Sequence, residues 1–246
     1  MPSIKKFYSI SQYPGTTGKY YYKYFFKHYN INATYTPLGC PPKLFNDMIV
    51  SLLNDSSTSG ISISMPYKNI AIQYCNELSE EAKKYNLCNT IFIESNNVTG
   101  YNCDYMGVLG ISKEIHPNDS IAILGSGSIG KMFYDHMVNS KYNVKLYSRS
   151  IGNWNNRHNK VDVIINCTAL GTISDDSPLD YIPISANRVI DLSMKKTELW
   201  NQCMSRNIKY IGGLEFYCHQ FIDQFKKYTG IIITKDSFEL AGQQRT

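Results

Sequence analysis

The segment 121–130, with the sequence IAILGSGSIG, constrains the fold of this 246-residue chain more than any other feature. Its apolar half predicts a buried strand, and its glycines predict a tight turn that opens a helix. In a G-x-G-x-x-G pattern, the first glycine allows the turn and the second lets the backbone approach a pyrophosphate, while the third lets the helix pack on the strand. The N–H groups of the helix N-terminus then face the phosphates. The predicted dinucleotide loop consists of Gly125, Ser126, Gly127, Ser128, Ile129 and Gly130.

The composition excludes several classes of protein. No stretch approaches the roughly 20 apolar residues of a membrane helix, and the start MPSIKK lacks the apolar core of a secretory signal. Seven scattered cysteines without metal-binding spacing favour reduced thiols in a cytosol over disulfides or a metal. The net charge of +5 forms no basic block, which argues against nucleic acid and suits an anionic cofactor or substrate. We therefore expect a cytoplasmic protein without a metal that acts on small molecules.

Strand and helix patterns alternate from residue 104 onwards. Strands are predicted at 121–124, 144–147, 163–166 and 189–192. Such alternation implies right-handed crossovers and a parallel sheet covered on both faces. We therefore predict an α/β fold of two domains. Residues 104–212 form a Rossmann-like domain, and residues 1–103, completed by an amphipathic helix and tail at 213–246, form the other.

The first domain begins with a strand at 7–10 and a turn at 14–18, whose threonine hydroxyls can cap the next helix. Helical spacing predicts that the aromatic side chains of this helix form a core face. That face consists of Tyr20, Tyr21, Tyr24, Phe25 and Tyr29.

A strand at 60–66 alternates apolar and hydroxyl side chains and ends at a proline. Tyr67 and Lys68 are predicted to open a further helix, with Ile70, Ala71 and Tyr74 on its buried face. The segments 89–93 and 97–101 predict a hairpin, after which Asp104 stands at a helix N-cap position. From position alone, the ordinary roles are a solvated helix residue for the lysine and capping for the aspartate.

The end of the second Rossmann strand indicates which nicotinamide cofactor binds. An acidic residue there would accept from the ribose 2′-hydroxyl of NAD. This strand instead ends in Ser148, Arg149 and Ser150, with no carboxylate before Asp162. A guanidinium and two hydroxyls suit a phosphate monoester, so we predict NADP(H).

Seven motifs in one order resemble the shikimate dehydrogenase family, and together they span nearly the whole chain. They are PYK at 66–68, NT at 89–90, GYNCD at 100–104, the glycine loop at 125–130, SRS at 148–150, NCTALG at 166–171, and the helix from Gly213 through Gln220 to Gly230.

The resemblance implies a substrate domain with a mixed sheet and an NADP-binding domain with a parallel sheet. It also implies reversible reduction of 3-dehydroshikimate to shikimate with NADPH, a step towards chorismate and the aromatic amino acids, by a monomer or homodimer. Lys68 and Asp104 become the catalytic pair, while Asn89 and Gln220 bind ring hydroxyls. Thr168 and Gly213 join the cofactor site.

The chain departs from the family pattern where the substrate carboxylate and ring are bound. The family's Ser-x-Ser corresponds to a turn in which Thr17, with Thr16 beside it, is the best surviving hydroxyl. Its Asn-x-Thr becomes Ser62 and Ser64. A Tyr and a Pro of the family are lost after Asp191, and Phe216 replaces a methionine. Since a site built for a polar substrate discriminates by its paired groups, these changes leave reaction type better indicated than substrate.

Two alternatives remain open from the sequence. One is a paralogue that acts on quinate, an aminated analogue or another cyclic hydroxy acid. The other is a catalytically silent NADP-binding relative, which the presence of both Lys68 and Asp104 disfavours. A folate-dependent dehydrogenase of similar architecture is set aside, because its Tyr-x-x-x-Lys helix has no match at Tyr20 and Tyr24.

Overall fold

A computed structural model describes residues 4–171, 174 and 176–245. The chain folds into two compact units, Met1–Cys103 with Phe221–Thr246 and Asp104–Gln220. The chain returns from the second unit to the first between Gln220 and Phe221, inside a helix, whereas the sequence-based prediction placed this boundary between residues 212 and 213. Within the described part of the chain, no helix combines the length and apolar character needed to cross a membrane.

The first unit contains a six-stranded mixed sheet. Its strands are β1 (Lys5–Ser11), β2 (Ala33–Gly39), β3 (Thr58–Ile63), β4 (Glu77–Leu78), β5 (Thr90–Glu94) and β6 (Asn97–Tyr101). Their order is β2-β1-β3-β5-β6-β4. Strand β1 pairs in parallel with both β2 and β3, whereas β5 pairs antiparallel with β3 and with β6 as the predicted hairpin. The short β4 closes the sheet in parallel with β6.

The second unit contains a five-stranded parallel sheet, as the alternating pattern predicts. Its strands are β7 (Ser120–Leu124), β8 (Asn143–Tyr147), β9 (Val163–Asn166), β10 (Arg188–Asp191) and β11 (Lys209–Gly212), of which β11 was not predicted. Their order is β11-β10-β9-β7-β8. The central strands are buried along nearly their whole length, because helices cover both faces of a parallel sheet. The predicted α/β fold class is confirmed.

Eight α-helices connect and flank these strands in the described residues. They are α1 (Thr17–His28), α2 (Phe45–Asn54), α3 (Glu80–Tyr85), α4 (Asp104–Ser112), α5 (Ser128–Asn139), α6 (Glu198–Ser205), α7 (Gly213–Thr229) and α8 (Lys235–Gln243). Short 3₁₀ helices lie at Pro42–Leu44, Ile70–Tyr74 and Trp154–Asn156. The helices α3, α6 and α8 were not among the sequence-based predictions.

The buried face of α1 differs from the predicted one. Tyr21, Tyr22, Phe25 and Phe26 are buried, whereas Tyr20, Tyr24 and Tyr29 are only partly buried. The sheet determines this choice, because Tyr22 stacks on the ring of Tyr35 in β2 at a centroid distance of 4.0 Å. The Thr16 hydroxyl, expected to cap α1, makes no capping hydrogen bond.

The prediction of a helix that begins at Tyr67 and Lys68 is wrong. The chain there forms a turn and then the 3₁₀ helix Ile70–Tyr74, on which Ala71 is buried and Ile70 is 46% exposed. The Lys68 carbonyl accepts from the Cys88 N–H at 2.9 Å, so it is not used for an α-helical bond. The buried Tyr67 ring stacks on Phe45, which anchors the turn to α2.

Candidate functional sites in the two units

In the first unit, candidate substrate residues follow the carboxyl ends of adjacent parallel strands. Thr17 begins α1 after β1, and Ser64 follows β3 in an exposed position. The Ser64 N–H donates to the Ile10 carbonyl at 2.9 Å, which holds the two strand ends together. In open α/β sheets, ligands bind outside the carboxyl ends of strands where the strand order reverses. The sheet therefore places Thr17 and Ser64 at the edge where a ligand is expected.

Lys68 lies in the turn after β3 and is half-buried. Its carbonyl accepts from the Cys88 N–H, the residue directly before Asn89. The structure thus brings the backbones of Lys68 and Asn89 together, although the two residues are far apart in sequence. The turn after β3 and the segment that leads into β5 are therefore joined by a backbone hydrogen bond.

The Asn89 side chain is buried and its orientation is fixed by its partners. Its Oδ1 accepts from the Cys103 backbone N–H at 2.9 Å and from the Thr90 hydroxyl at 2.8 Å. A backbone N–H can only donate, so the oxygen of the amide must face Cys103. The amide nitrogen therefore lies on the opposite branch, where its N–H groups serve as donors.

Gln224 supports this arrangement from α7 and was missed in the sequence. Its Nε2 donates to the Thr90 hydroxyl at 2.7 Å, so the Thr90 proton is directed to Asn89. Its Oε1 accepts from the Tyr22 hydroxyl at 2.9 Å and from Ser62 at 3.2 Å. The side chain of Gln224 is only 2% exposed. The signal was present as a glutamine within an apolar stripe of helical spacing, with Phe221, Phe225 and Tyr228.

Ser62 lies within this buried network. Its Oγ is 3.0 Å from the Tyr35 hydroxyl, 3.1 Å from the Tyr228 hydroxyl and 3.2 Å from Gln224 Oε1. Burial raises the pKa of Tyr35 and of Tyr228, so both phenols stay protonated and neutral over the physiological range. The Ser62 hydroxyl thus has three partners inside its own unit.

In the second unit, the glycine loop has the backbone geometry that its sequence predicts. Gly125 follows β7 with φ of +99°, a conformation that favours glycine. Gly127 precedes α5, whose first residues are Ser128, Ile129 and Gly130. A Cβ on Gly130 would overlap the Gly125 carbonyl, so only glycine permits this turn.

A cavity of about 260 Å³ opens beside this loop. It lies where the order of the parallel strands reverses, next to the ends of β7, β8 and β9. Six predicted cofactor residues line it together with Trp154 and Leu170; the six are Gly125, Ser126, Ser148, Arg149, Ser150 and Thr168.

One wall of the cavity, formed by the segments after β7 and β8, combines a cation with three hydroxyl groups. Ser150 Oγ lies 2.8 Å from Ser126 Oγ and 3.0 Å from Ser148 Oγ. The Arg149 guanidinium stands 5.8 Å from the centre of the Trp154 ring, within cation–π range. Several donors and one fixed charge suit a phosphate monoester.

The Thr168 loop is held by a buried carboxylate. Asn166 Oδ1 accepts from the Thr168 hydroxyl at 2.7 Å, and Asn166 Nδ2 donates to Asp191 at 3.0 Å. Asp191 also accepts from Ser193 N–H, Thr197 Oγ1 and Tyr210 OH. Burial and the Asp191 charge raise the pKa of Tyr210, which keeps it a donor. This support for Thr168 was not predicted.

Asp104 and Gly213 begin two helices of the second unit that pack closely. Cβ atoms on Gly107 and Gly110 of α4 would overlap the rings of Phe216 and His219 in α7. The pairs run in the same order along both helices, so the two N-termini lie at the same end. The buried Asp104 is the first residue of α4, where a carboxylate is favoured by the helix dipole.

Gln220 is half-buried on α7 and is described within the second unit, as is Asp104. Lys68 and Asn89 are described within the first unit. The meeting of Lys68 with Asp104, and of Gln220 with Asn89, stays a prediction.

Comparison with known proteins decides the family. Residues 18–91 match the family model of the shikimate dehydrogenase substrate binding domain. A shikimate dehydrogenase (NADP(+)) of Clostridium beijerinckii is 32% identical over 189 residues, covering 66% of this chain and 69% of that protein. A shikimate dehydrogenase of Sulfurisphaera tokodaii is 28% identical over 222 residues, covering 85% and 83%. The chain belongs to the shikimate dehydrogenase family.

The fold agrees with this assignment. The crystal structure of shikimate dehydrogenase from Aquifex aeolicus matches with a TM-score of 0.85 at 21% identity, covering 99% of this chain and 100% of that one. The family resemblance inferred from the motifs is confirmed. The predicted class of enzyme, an oxidoreductase that acts on CH–OH groups, is confirmed with it.

Replacement of Gly130 by alanine tests the glycine loop. The added Cβ would overlap the Gly125 carbonyl, so we expect the turn to open and the Kd for NADP⁺ to rise at least tenfold. Alanine is the better helix former, so weaker binding cannot come from a poorer helix. Titration calorimetry measures the Kd, with Asn139→Ala at the exposed end of α5 as control. Equal affinities of the two variants would contradict the role of the loop.

Replacement of Thr90 by valine tests the buried network. The change keeps the shape but leaves the Gln224 amide without its 2.7 Å acceptor. We expect the free energy of unfolding to fall by about 1–3 kcal/mol, measured by urea denaturation. Thr99→Val on the neighbouring β6 is the control, with an expected change of about 0.5 kcal/mol or less. If the network does not contribute to stability, the free energy of unfolding will change by the same small amount in both variants.

Proposed function

We propose that the protein is a shikimate dehydrogenase that reduces 3-dehydroshikimate to shikimate with NADPH, reversibly, on the route to chorismate and the aromatic amino acids. The observation that carries most weight is the cavity after β7, β8 and β9, with Arg149 and its serines, in a chain of this family. The expected location in the cytoplasm and the expected monomer or homodimer remain predictions.

The cofactor is NADP(H), and the residues of the second unit fit it. The close approach of Gly130 to Gly125 leaves the N-terminus of α5 open to a pyrophosphate. Arg149, Ser148 and Ser150 offer the donors that a 2′-phosphate needs, and none of the described residues that line this cavity is acidic. When bound, NADPH supplies the hydride; Thr168, held by Asn166, forms the wall after β9.

Lys68 and Asp104 have the chemistry that ketone reduction requires of the protein. As hydride reaches the carbonyl carbon, negative charge develops on the oxygen and a proton must arrive. The Lys68 ammonium stabilises this charge and donates the proton from Nζ. The Asp104 carboxylate orients the lysine and accepts from the neighbouring ring hydroxyl.

The remaining substrate contacts are assigned by type of group. Asn89 offers N–H donors to a ring oxygen, because its own oxygen is occupied by Cys103 and Thr90. Gln220 takes a second ring hydroxyl. Thr17, Ser62 and Ser64 form the wall that faces the carboxylate and ring.

The position of Ser62 favours a second candidate, a paralogue that acts on quinate or another cyclic hydroxy acid. The hydroxyl of Ser62 already lies close to Tyr35, Tyr228 and Gln224. A wall in which one hydroxyl, that of Ser62, is already paired within the protein discriminates less sharply between related rings than a wall that pairs with each ring hydroxyl. A catalytically silent NADP-binding relative would keep the cavity but show no turnover.

Turnover assays test these alternatives directly. With NADP⁺, we expect oxidation of shikimate at a kcat/KM well above that for quinate. Lys68→Ala should lower kcat by about 10²- to 10⁴-fold, because the variant lacks the amine that takes the hydroxyl proton in oxidation and returns it in reduction, while NADP⁺ still binds. Lys83→Ala, on the exposed face of α3, is the matched control and should behave as wild type. Activity on quinate alone would favour the paralogue, and absence of any turnover would favour the silent relative.

Arg149→Ala tests the recognition of the 2′-phosphate. Loss of the guanidinium should raise the KM for NADP⁺ about 10- to 100-fold and change that for NAD⁺ little, because only NADP⁺ carries the phosphate. The ratio of the two KM values, measured in one preparation, serves as the internal control. An equal change for both cofactors would place Arg149 outside the phosphate site.

A further inference from the structure

Arg245 meets the start of α1 at the turn that carries Thr16 and Thr17. Its Nη1 donates to Thr17 Oγ1 at 3.1 Å, and its Nη2 lies 3.5 Å from Thr16 Oγ1. The guanidinium stands 5.6 Å from the centre of the Tyr20 ring. All of these groups belong to the first unit, so the contact lies within one compact body.

The packing of α8 on α1 positions this arginine. Tyr21 of α1 stacks on Phe238 of α8 at 3.9 Å and 10°, and the Tyr20 hydroxyl donates to the Ala241 carbonyl at 2.7 Å. A Cβ on Gly242 would lie 2.8 Å from the Tyr21 hydroxyl, so the helices approach closely at that point. The Arg245 N–H continues the last turn by donating to the Gly242 carbonyl. The guanidinium is therefore placed by a packed pair of helices.

The charges around the turn favour an anion. The first turn of α1 contains no acidic residue, and its helix N-terminus carries the positive end of the dipole. Among residues 4–171, 174 and 176–245, no carboxylate lies within ion-pair distance of Arg245. Thr17 Oγ1 accepts from the arginine, and a threonine hydroxyl that accepts one hydrogen bond can also donate its own proton to an anion.

We infer that Arg245 is a specificity-determining residue that binds the carboxylate of the substrate together with Thr17. The identity of the acid rests on the proposed function, whereas the location of the carboxylate site rests on the Arg245–Thr17 contact. A guanidinium offers two parallel N–H donors that match the two oxygens of a carboxylate, and the threonine hydroxyl adds a third. The cation thus takes over recognition at a turn where threonines stand in place of two serines.

The test compares an acid with its neutral ester. Shikimate and methyl shikimate are titrated calorimetrically into the wild type, Arg245→Gln and Arg245→Lys, each with NADP⁺ present. We expect the wild type to prefer the acid by at least tenfold, Arg245→Gln to lose that preference, and Arg245→Lys to keep part of it. Lys23→Gln removes the same charge from an exposed position of α1 and should keep the preference. Higher salt should weaken binding of the acid and leave the ester unchanged.

The outcomes separate this inference from the proposed function. Equal binding of acid and ester by the wild type, or an unchanged preference in Arg245→Gln, overturns the inference even when shikimate is oxidised. If neither compound binds or reacts, the proposed function fails, and sodium benzoate replaces them in a ¹⁵N NMR titration. A shift of the Thr17 amide that Arg245→Gln abolishes then supports the inference, and no shift overturns it. Thermal unfolding confirms that each variant is folded.

Discussion

The hydrogen bond from the Cys103 N–H to Asn89 Oδ1 sets the polarity of the buried polar network in the first unit. A backbone N–H cannot exchange donor and acceptor roles, so the amide of Asn89 has one stable orientation. That orientation makes Thr90 a donor to Asn89 and an acceptor from Gln224. Gln224 then presents its oxygen to Tyr22. A reversed Asn89 would place two donors face to face in a buried region, which is costly.

In both units, the candidate binding residues follow the carboxyl ends of parallel strands, but the side chains at these strand ends differ in chemistry. In the second unit, β7, β8 and β9 end in glycine, serine, arginine and threonine, which suit phosphates. In the first unit, β1 and β3 lead to hydroxyl groups and a lysine, which suit a polyhydroxy acid. The rule explains why residues distant in sequence meet at one edge.

The sequence predicted those parts of the molecule that local chemistry determines. The glycine loop, four of the five strands of the parallel sheet and the hairpin follow from spacing and residue type within short segments. The buried face of α1 and the turn at Lys68 could not be predicted in this way. Each depends on a contact with a residue distant in sequence, Tyr35 for the helix face and Cys88 for the turn. The contacts of Gln224 and Arg245 were not predicted for the same reason, because their partners lie far away in the sequence.

The position of Ser62 connects the residues at which this chain departs from the family pattern, Ser62, Ser64 and Thr17. By the family resemblance, Ser62 stands in place of an asparagine, and its hydroxyl lies within hydrogen-bond distance of the hydroxyls of Tyr35 and Tyr228. Burial raises the pKa of both phenols and keeps them protonated, so a hydrogen-bond partner such as Ser62 stabilises them. In the proposed function, recognition of the acid falls to the strand ends, where the exposed Ser64 and the partly buried Thr17 lie. The Arg245 guanidinium beside Thr17 suits that task, because charge-assisted hydrogen bonds to a carboxylate are stronger than those from neutral hydroxyls.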